Sequence, residues 1–227
     1  MKTIKKITDA DQSLYKKYVE STHNTLLFQS SNYINLIKNT LNCYEETLIC
    51  FDSQQKEITG VLPLLSCKGK YGKVYNSLPF FGSNGGIISS DDESKKLLLA
   101  EFITVAPNAD PAAAMISENP FIPLNLPSIN YDIVEERLCQ ISDIHFENNH
   151  AERLMNLFHF KTRNMIRKGV KEGITISVDN TALDFLYATH VENMAAVGTK
   201  HKPELFFQNI DKFFERNHLI DSKREDI

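Results

Sequence analysis

The feature that most narrows the possible folds is a pair of short apolar runs, Glu46–Phe51 and Ile58–Ser66, rich in residues that favour strands. The polar stretch Asp52–Lys56 lies between them, so the pair predicts a β-hairpin. Pro63 has no backbone N–H to give to a ladder, which places the second run at a sheet edge or at a bulge. Upstream, Leu14, Tyr18, Leu26, Phe28, Tyr33, Leu36 and Ile37 recur at helical intervals. They predict two helices between Ser13 and Leu41, the second capped by Ser30 or Ser31. Strands bracketed by helices make this an α/β chain of the mixed α+β kind.

The same alternation continues downstream. After Lys68–Gly72 a further strand runs into Ser77–Ile88, a loop both apolar and dense in glycine. Asp91–Val105 reads as a helix with acidic residues at its positive end. Ala112–Ile116 and Leu138–Phe146 read as strands, with an irregular, proline-rich 107–132 region between them. From Glu152 the pattern turns helical, broken only by a short strand at Ile174–Val178, and a domain junction is expected near 147–152. Residues 1–150 and 151–227 are then two units. No internal repeat is present, which excludes solenoids.

Charge and cysteine usage exclude other classes. Acidic residues number 29 against 25 basic ones, a net charge of -4 that argues against a DNA-binding protein. No stretch approaches the roughly 20 apolar residues of a membrane span, and the N-terminus lacks a signal-peptide apolar run, so a cytoplasmic protein is expected. Cys43, Cys50, Cys67 and Cys139 spell no metal or redox motif and are expected to be small buried residues in a reducing compartment. His145, His150 and His159 are spaced five and nine apart, unlike a helical metal pair, and no metal site is expected. His190 falls on the stripe Leu183, Leu186, Tyr187, His190, Val191 and Met194, which predicts a satisfied core or interface histidine.

Two segments could bind a ligand. On a helix over Lys161–Gly173, Arg163, Arg167 and Lys171 fall four apart and form a basic stripe suited to phosphate. The competing reading is a solvated face, with cations at the negative end of the helix and Gly173 as its stop. In the loop Gly82–Gly86, Gly85 and Gly86 would let backbone amides approach a ligand; a tight turn between buried strands explains them equally well. No catalytic group can be assigned from these patterns.

Taken in order, Phe28-Gln29-Ser30, Ile58–Leu64, Ser77–Phe80 with Gly85-Gly86, Thr162–Lys168, Glu192-Asn193-Met194 and Pro203–Phe207 resemble the FemAB-type branch of the GNAT-like acyltransferases. The resemblance runs from Phe28 to Phe207. It implies a GNAT-like N-terminal domain followed by the incomplete, mostly helical start of a second. It implies transfer of an aminoacyl or acyl group, from aminoacyl-tRNA or acyl-CoA, to a nucleotide- or lipid-linked cell-envelope precursor such as that of peptidoglycan. Under it Arg163, Arg167 and Lys171 would hold the precursor's phosphates, and no tightly bound cofactor is implied.

The chain also departs from that family. The acyl-CoA pyrophosphate loop of the wider GNAT group does not occur, and the strands expected after an amphipathic helix at Pro203–Asn217 are absent. A truncated member is therefore expected. Two other readings stay open: a non-catalytic module whose apolar face around Phe206–Phe214 docks on a partner chain completing the second domain, and an acetyl-CoA-dependent N-acetyltransferase.

Overall fold

In the computed structural model the chain is described at residues 1–54, 56–77, 80–108, 111–122, 132–141, 150–175 and 179–214. It begins with β1 (Lys2–Lys6), then α1 (Gln12–Ser21) and α2 (Ser31–Leu41). The strands β2 (Tyr44–Glu45), β3 (Leu48–Asp52), β4 (Glu57–Leu62), β5 (Leu65–Gly69), β6 (Gly72–Asn76) and β7 (Ile88–Ser89) follow. Then come α3 (Asp92–Asn108), β8 (Ala113–Met115), α4 (His150–Leu157), α5 (Phe160–Lys171), α6 (Leu183–Ala196) and α7 (Glu204–Phe213). The strands form two four-stranded sheets, ordered β1-β3-β4-β7 and β2-β5-β6-β8. All pairings are antiparallel except β6 with β8.

The expected hairpin is β3–β4, and Pro63 explains why its second run does not continue as one strand. Beyond Leu62 the ladder breaks: Glu46 N–H still donates to Leu64 O at 2.8 Å, but Leu64 N–H turns to the Thr47 hydroxyl at 3.3 Å. Past this break the chain enters the second sheet as β5. Both faces of the first sheet are covered, so its strands bury successive residues on opposite sides. Ile49, Val61 and Ile88 face a core shared with Tyr15, Ile34 and Ile37 of α1 and α2. Leu48, Cys50, Leu62 and Ile87 face Leu98, Leu99 and Phe102 of α3.

Local chemistry sets the helix starts. The Ser30 side chain accepts from Tyr33 N–H and caps α2. The Asp91 carboxylate accepts from Ser94 N–H at 2.8 Å ahead of α3 and takes the Lys2 ammonium at 2.6 Å, tying β1 to that helix. Burial pushes the Asp91 carboxyl up, but the bonds from Lys2 and Ser94 outweigh it and hold the pKa at about 2, against an ordinary 3.8. A depressed carboxylate stabilises the fold above its unfolded pKa and loses that contribution as pH falls through the folded one. Asp91→Ala should therefore cost about 1 kcal/mol at neutral pH and flatten the loss of stability between about pH 4 and pH 2, measured by urea unfolding against pH.

Several sequence expectations change. Cys43 and Cys67 are joined as a disulfide linking the end of α2 to β5, and Cys139 is exposed, so only Cys50 is the buried free thiol expected. Residues 138–141 form no strand, and Leu138 is fully exposed, because no neighbouring strand pairs with them among the described residues. The rest of that run, the junction at 147–149 and residues 176–178 of the expected strand lie outside the described residues. Ile174 and Thr175 carry no regular structure.

The aromatic face of α7 is not open. Phe206, Phe207 and Phe214 are buried in the core that α1 and α2 share, and Asn209 Nδ2 donates to Thr40 Oγ1 at 3.4 Å. The cover for this face thus comes from the chain's own α2 rather than from a partner.

Candidate functional site

Three of the segments that carry the family resemblance meet at one place beside α2. The first is Gln29, which ends a single 3-10 turn, Leu27–Gln29, before the Ser30 cap. Its fully buried side chain accepts from Leu26 N–H at 2.9 Å and donates to the carbonyls of Gly85 and Gly86 at 3.3 and 3.2 Å. The Tyr15 hydroxyl donates to its carbonyl. A buried amide so satisfied fixes the glycine loop against the helix.

The second is the loop itself. Gly85 and Gly86 are buried, and Gly86 has a φ of +90°. A Cβ there would lie 2.6 Å from the carbonyl oxygen of Ser117. Gly86 is thus required by close backbone packing. Phe81 and Ser83 are exposed; the Phe81 backbone is also left-handed, at a φ of +70°, and its ring meets Phe206 of α7.

The third is the segment entering α7. Phe206 meets the Phe81 ring edge to face at 5.5 Å. The Lys202 ammonium lies 4.8 Å from the Phe206 ring centre and 5.6 Å from that of Phe81, a cation held between two aromatic faces. Among the described residues no carboxylate is within ion-pairing distance of it. Burial lowers its pKa below the usual lysine value. The backbone sets its position, because Lys202 N–H donates to His190 Nε2 at 2.9 Å. The His190 ring packs on Phe207 at 5.4 Å, and Tyr187 packs there too at 5.3 Å. His190 is therefore the satisfied histidine its stripe predicted.

This seam offers a partly desolvated ammonium beside two aromatic rings that, among the described residues, meets no carboxylate. Such a group suits an anionic ligand, since its charge is neither neutralised by a neighbour nor fully hydrated. Sequence patterns missed Lys202 because nothing local marks it; its setting is built from residues more than a hundred positions apart.

The basic stripe lies elsewhere. Arg163 Nη1 donates to the carbonyl of Phe158 at 2.8 Å, Arg167 Nη1 donates to Asn164 Oδ1 at 3.3 Å, and Arg167 and Lys171 are exposed. No residue of α5 is buried. Gly173, with a φ of +79°, ends the helix as its sequence predicts. Among the described residues no hydrogen bond or ion pair joins α5 to the glycine loop, so Arg163, Arg167 and Lys171 form one group and Gly85 and Gly86 another. Among the described residues no cluster of metal-ligating side chains occurs, and no helix is long and apolar enough to cross a membrane.

No protein-family model matches the sequence, and no curated protein is significantly similar to it. Solved structures are similar in fold. The crystal structure of FemX superposes with a TM-score of 0.61 at 19% identity, over 95% of this chain and 55% of FemX. An acetyltransferase of Trypanosoma brucei superposes with a TM-score of only 0.37 at 9% identity, over 60% of this chain and all of that one. The chain thus spans about half the length of FemX, and across nearly all of its own length it has the mixed α+β fold of that protein.

Proposed function

We propose that this chain is a FemAB-type transferase, or the part of one, that passes an aminoacyl or acyl group to a nucleotide- or lipid-linked cell-envelope precursor. The observation that carries this reading is the meeting of Gln29, the Phe81–Gly86 loop and Lys202 with Phe206 on a FemX-like fold. Lys202 is the residue we assign to the precursor's anionic part. Arg163, Arg167 and Lys171 are assigned to its phosphates, as the basic stripe and the family resemblance imply. Residues 1–150 and 151–227 then correspond to a first GNAT-like unit and the start of a second. Aminoacyl-tRNA or acyl-CoA would supply the group transferred. A cytoplasmic setting goes with such donors.

Equilibrium binding of a UDP-linked peptidoglycan precursor tests the reading, measured calorimetrically at low and high salt. Wild type should bind, and more weakly as salt rises. Lys202→Met should lose about tenfold in affinity, and Arg163→Ala with Arg167→Ala at least as much, since charge-assisted bonds to phosphate are removed. Absence of binding, or affinity indifferent to all three substitutions, would overturn it.

A second reading is favoured by α5 and α6. Met165, Val170 and Phe185 are 69%, 71% and 74% exposed, which fits an interaction module resting on another polypeptide. In that case the purified chain should self-associate or require a partner by light scattering, and it should bind no precursor.

A further inference from the structure

The break in the ladder at Pro63 has a second product, on the side of the molecule where β1 ends. Because β2 and β3 pair with different sheets, Glu45 and Glu46 sit at the junction, and a cavity of about 440 Å³ opens over them. Lys6 of β1, Lys38 of α2 and Lys73 of β6 converge on its walls. A narrower, mainly apolar slot of about 180 Å³ adjoins it, walled by Leu48, Leu64, Tyr75, Phe102, Val105 and Glu101, with Lys6 and Glu46 common to both. The larger cavity is within the size range of small-molecule sites.

The charges on its floor are arranged in pairs, while Asp9 adds a further carboxylate to the wall. Glu45 is held by Lys38 at 3.0 Å, by Gln12 at 3.1 Å and by the Thr47 hydroxyl at 3.3 Å. Glu46 is held by Lys6, by Lys73 at 3.0 Å and by Ser66 at 3.0 Å. Both carboxylates are sheltered, with side chains 8% and 14% exposed. Burial pushes the Glu46 carboxyl up, yet the lysines and Ser66 outweigh it and keep it below its ordinary value. Valence remains on both sides: a carboxylate can accept about four hydrogen bonds and an ammonium donates three. Each carboxylate here accepts three, whereas Lys6 and Lys38 each meet a single carboxylate.

We infer that this groove binds a zwitterionic α-amino acid, free or at the end of a short peptide, with its ammonium on Glu45 and Glu46, its carboxylate on the lysines and an apolar side chain in the slot. The charge pairing selects a zwitterion. A simple anion would draw the lysines away and leave a sheltered carboxylate uncompensated, which is costly. A ligand carrying both charges exchanges pairs and strands none. The slot, whose surface is mostly that of Leu48, Leu64, Phe102 and Val105, selects for a branched or aromatic side chain. This inference stands on the groove alone and is independent of the transferase reading, whose residues lie in the seam and on α5.

The test is an amide NMR titration of the whole chain with free L-phenylalanine, N-acetyl-L-phenylalanine, L-phenylalanine amide and glycine. L-Phenylalanine should shift resonances of Lys6–Gln12, Glu45–Leu48 and Lys73–Tyr75 in a saturable manner. The acetylated and amidated compounds, each lacking one charge, should bind at least about tenfold more weakly, and so should glycine, which leaves the slot empty. Val105→Trp, which fills the slot, should abolish the preference for phenylalanine over glycine. The proposal fails if phenylalanine shifts nothing in the groove, or if either singly charged derivative binds as well as the zwitterion.

Discussion

Gly86→Ala is expected to destabilise the protein by on the order of 3 kcal/mol, the sum of a left-handed backbone and a collision with fixed backbone. The atoms that a Cβ would meet are the Ser117 carbonyl oxygen at 2.6 Å, then Asn119 N and Glu118 Cα at 3.3 Å, and none of them belongs to a side chain that could swing aside. Gly173 supplies the control: its φ is also positive, at +79°, but nothing lies within 4 Å of the site. Gly173→Ala should therefore cost only about 1 kcal/mol, the backbone part alone. Urea unfolding of both variants measures the difference. Equal costs would mean that the loop is not pressed against residues 117–119.

Phe207→Ala should cost about 3 to 5 kcal/mol, the range for removing a buried aromatic from a packed core. The ring is 6% exposed, packs on Tyr187, His190 and Phe206, and belongs to the core that α1 and α2 share. The cost should appear in the midpoint of the main unfolding transition, because α7 is part of that core. Phe185→Ala, at a residue 74% exposed on α6, should change stability by less than about 0.5 kcal/mol. A small effect for Phe207 would detach α7 from the fold.

These two sites also show what could be read from the sequence. The helices α1, α2 and α3, the hairpin β3–β4, the strand β8 and the stop of α5 at Gly173 were legible because capping serines and acids, alternating strands and a helix-ending glycine are local signals. The partition into two sheets was not. Pro63 announced an irregularity, but the second sheet also takes in β2 ahead of the hairpin and β8 far along the chain. The pairing of Cys43 with Cys67 spans 24 residues and follows from fold geometry, with no motif to mark it. The stripe of α7 was correctly read as apolar, while its cover, α2, is some 170 positions earlier, where Asn209 reaches Thr40. Of the candidate site, Gln29 and Gly85-Gly86 were visible as parts of a resemblance, and their hydrogen bonds now give that resemblance a physical meaning. Lys202 was invisible, because its aromatic cradle exists only after folding. Arg163, Arg167 and Lys171 were visible as a stripe, and the fold sets them on an exposed helix whose role rests on the binding experiment.

The account depends on α7 closing the first core, since that contact brings Lys202 and Phe206 to the glycine loop. Native-state hydrogen exchange of the intact chain tests this most directly. Amides of Phe207–Phe213 should exchange as slowly as those of Ile34–Ile37 in α2, through the same global unfolding. Rapid exchange across α7 while α2 stays protected would contradict it, and the seam would lose the residue assigned to bind the anion.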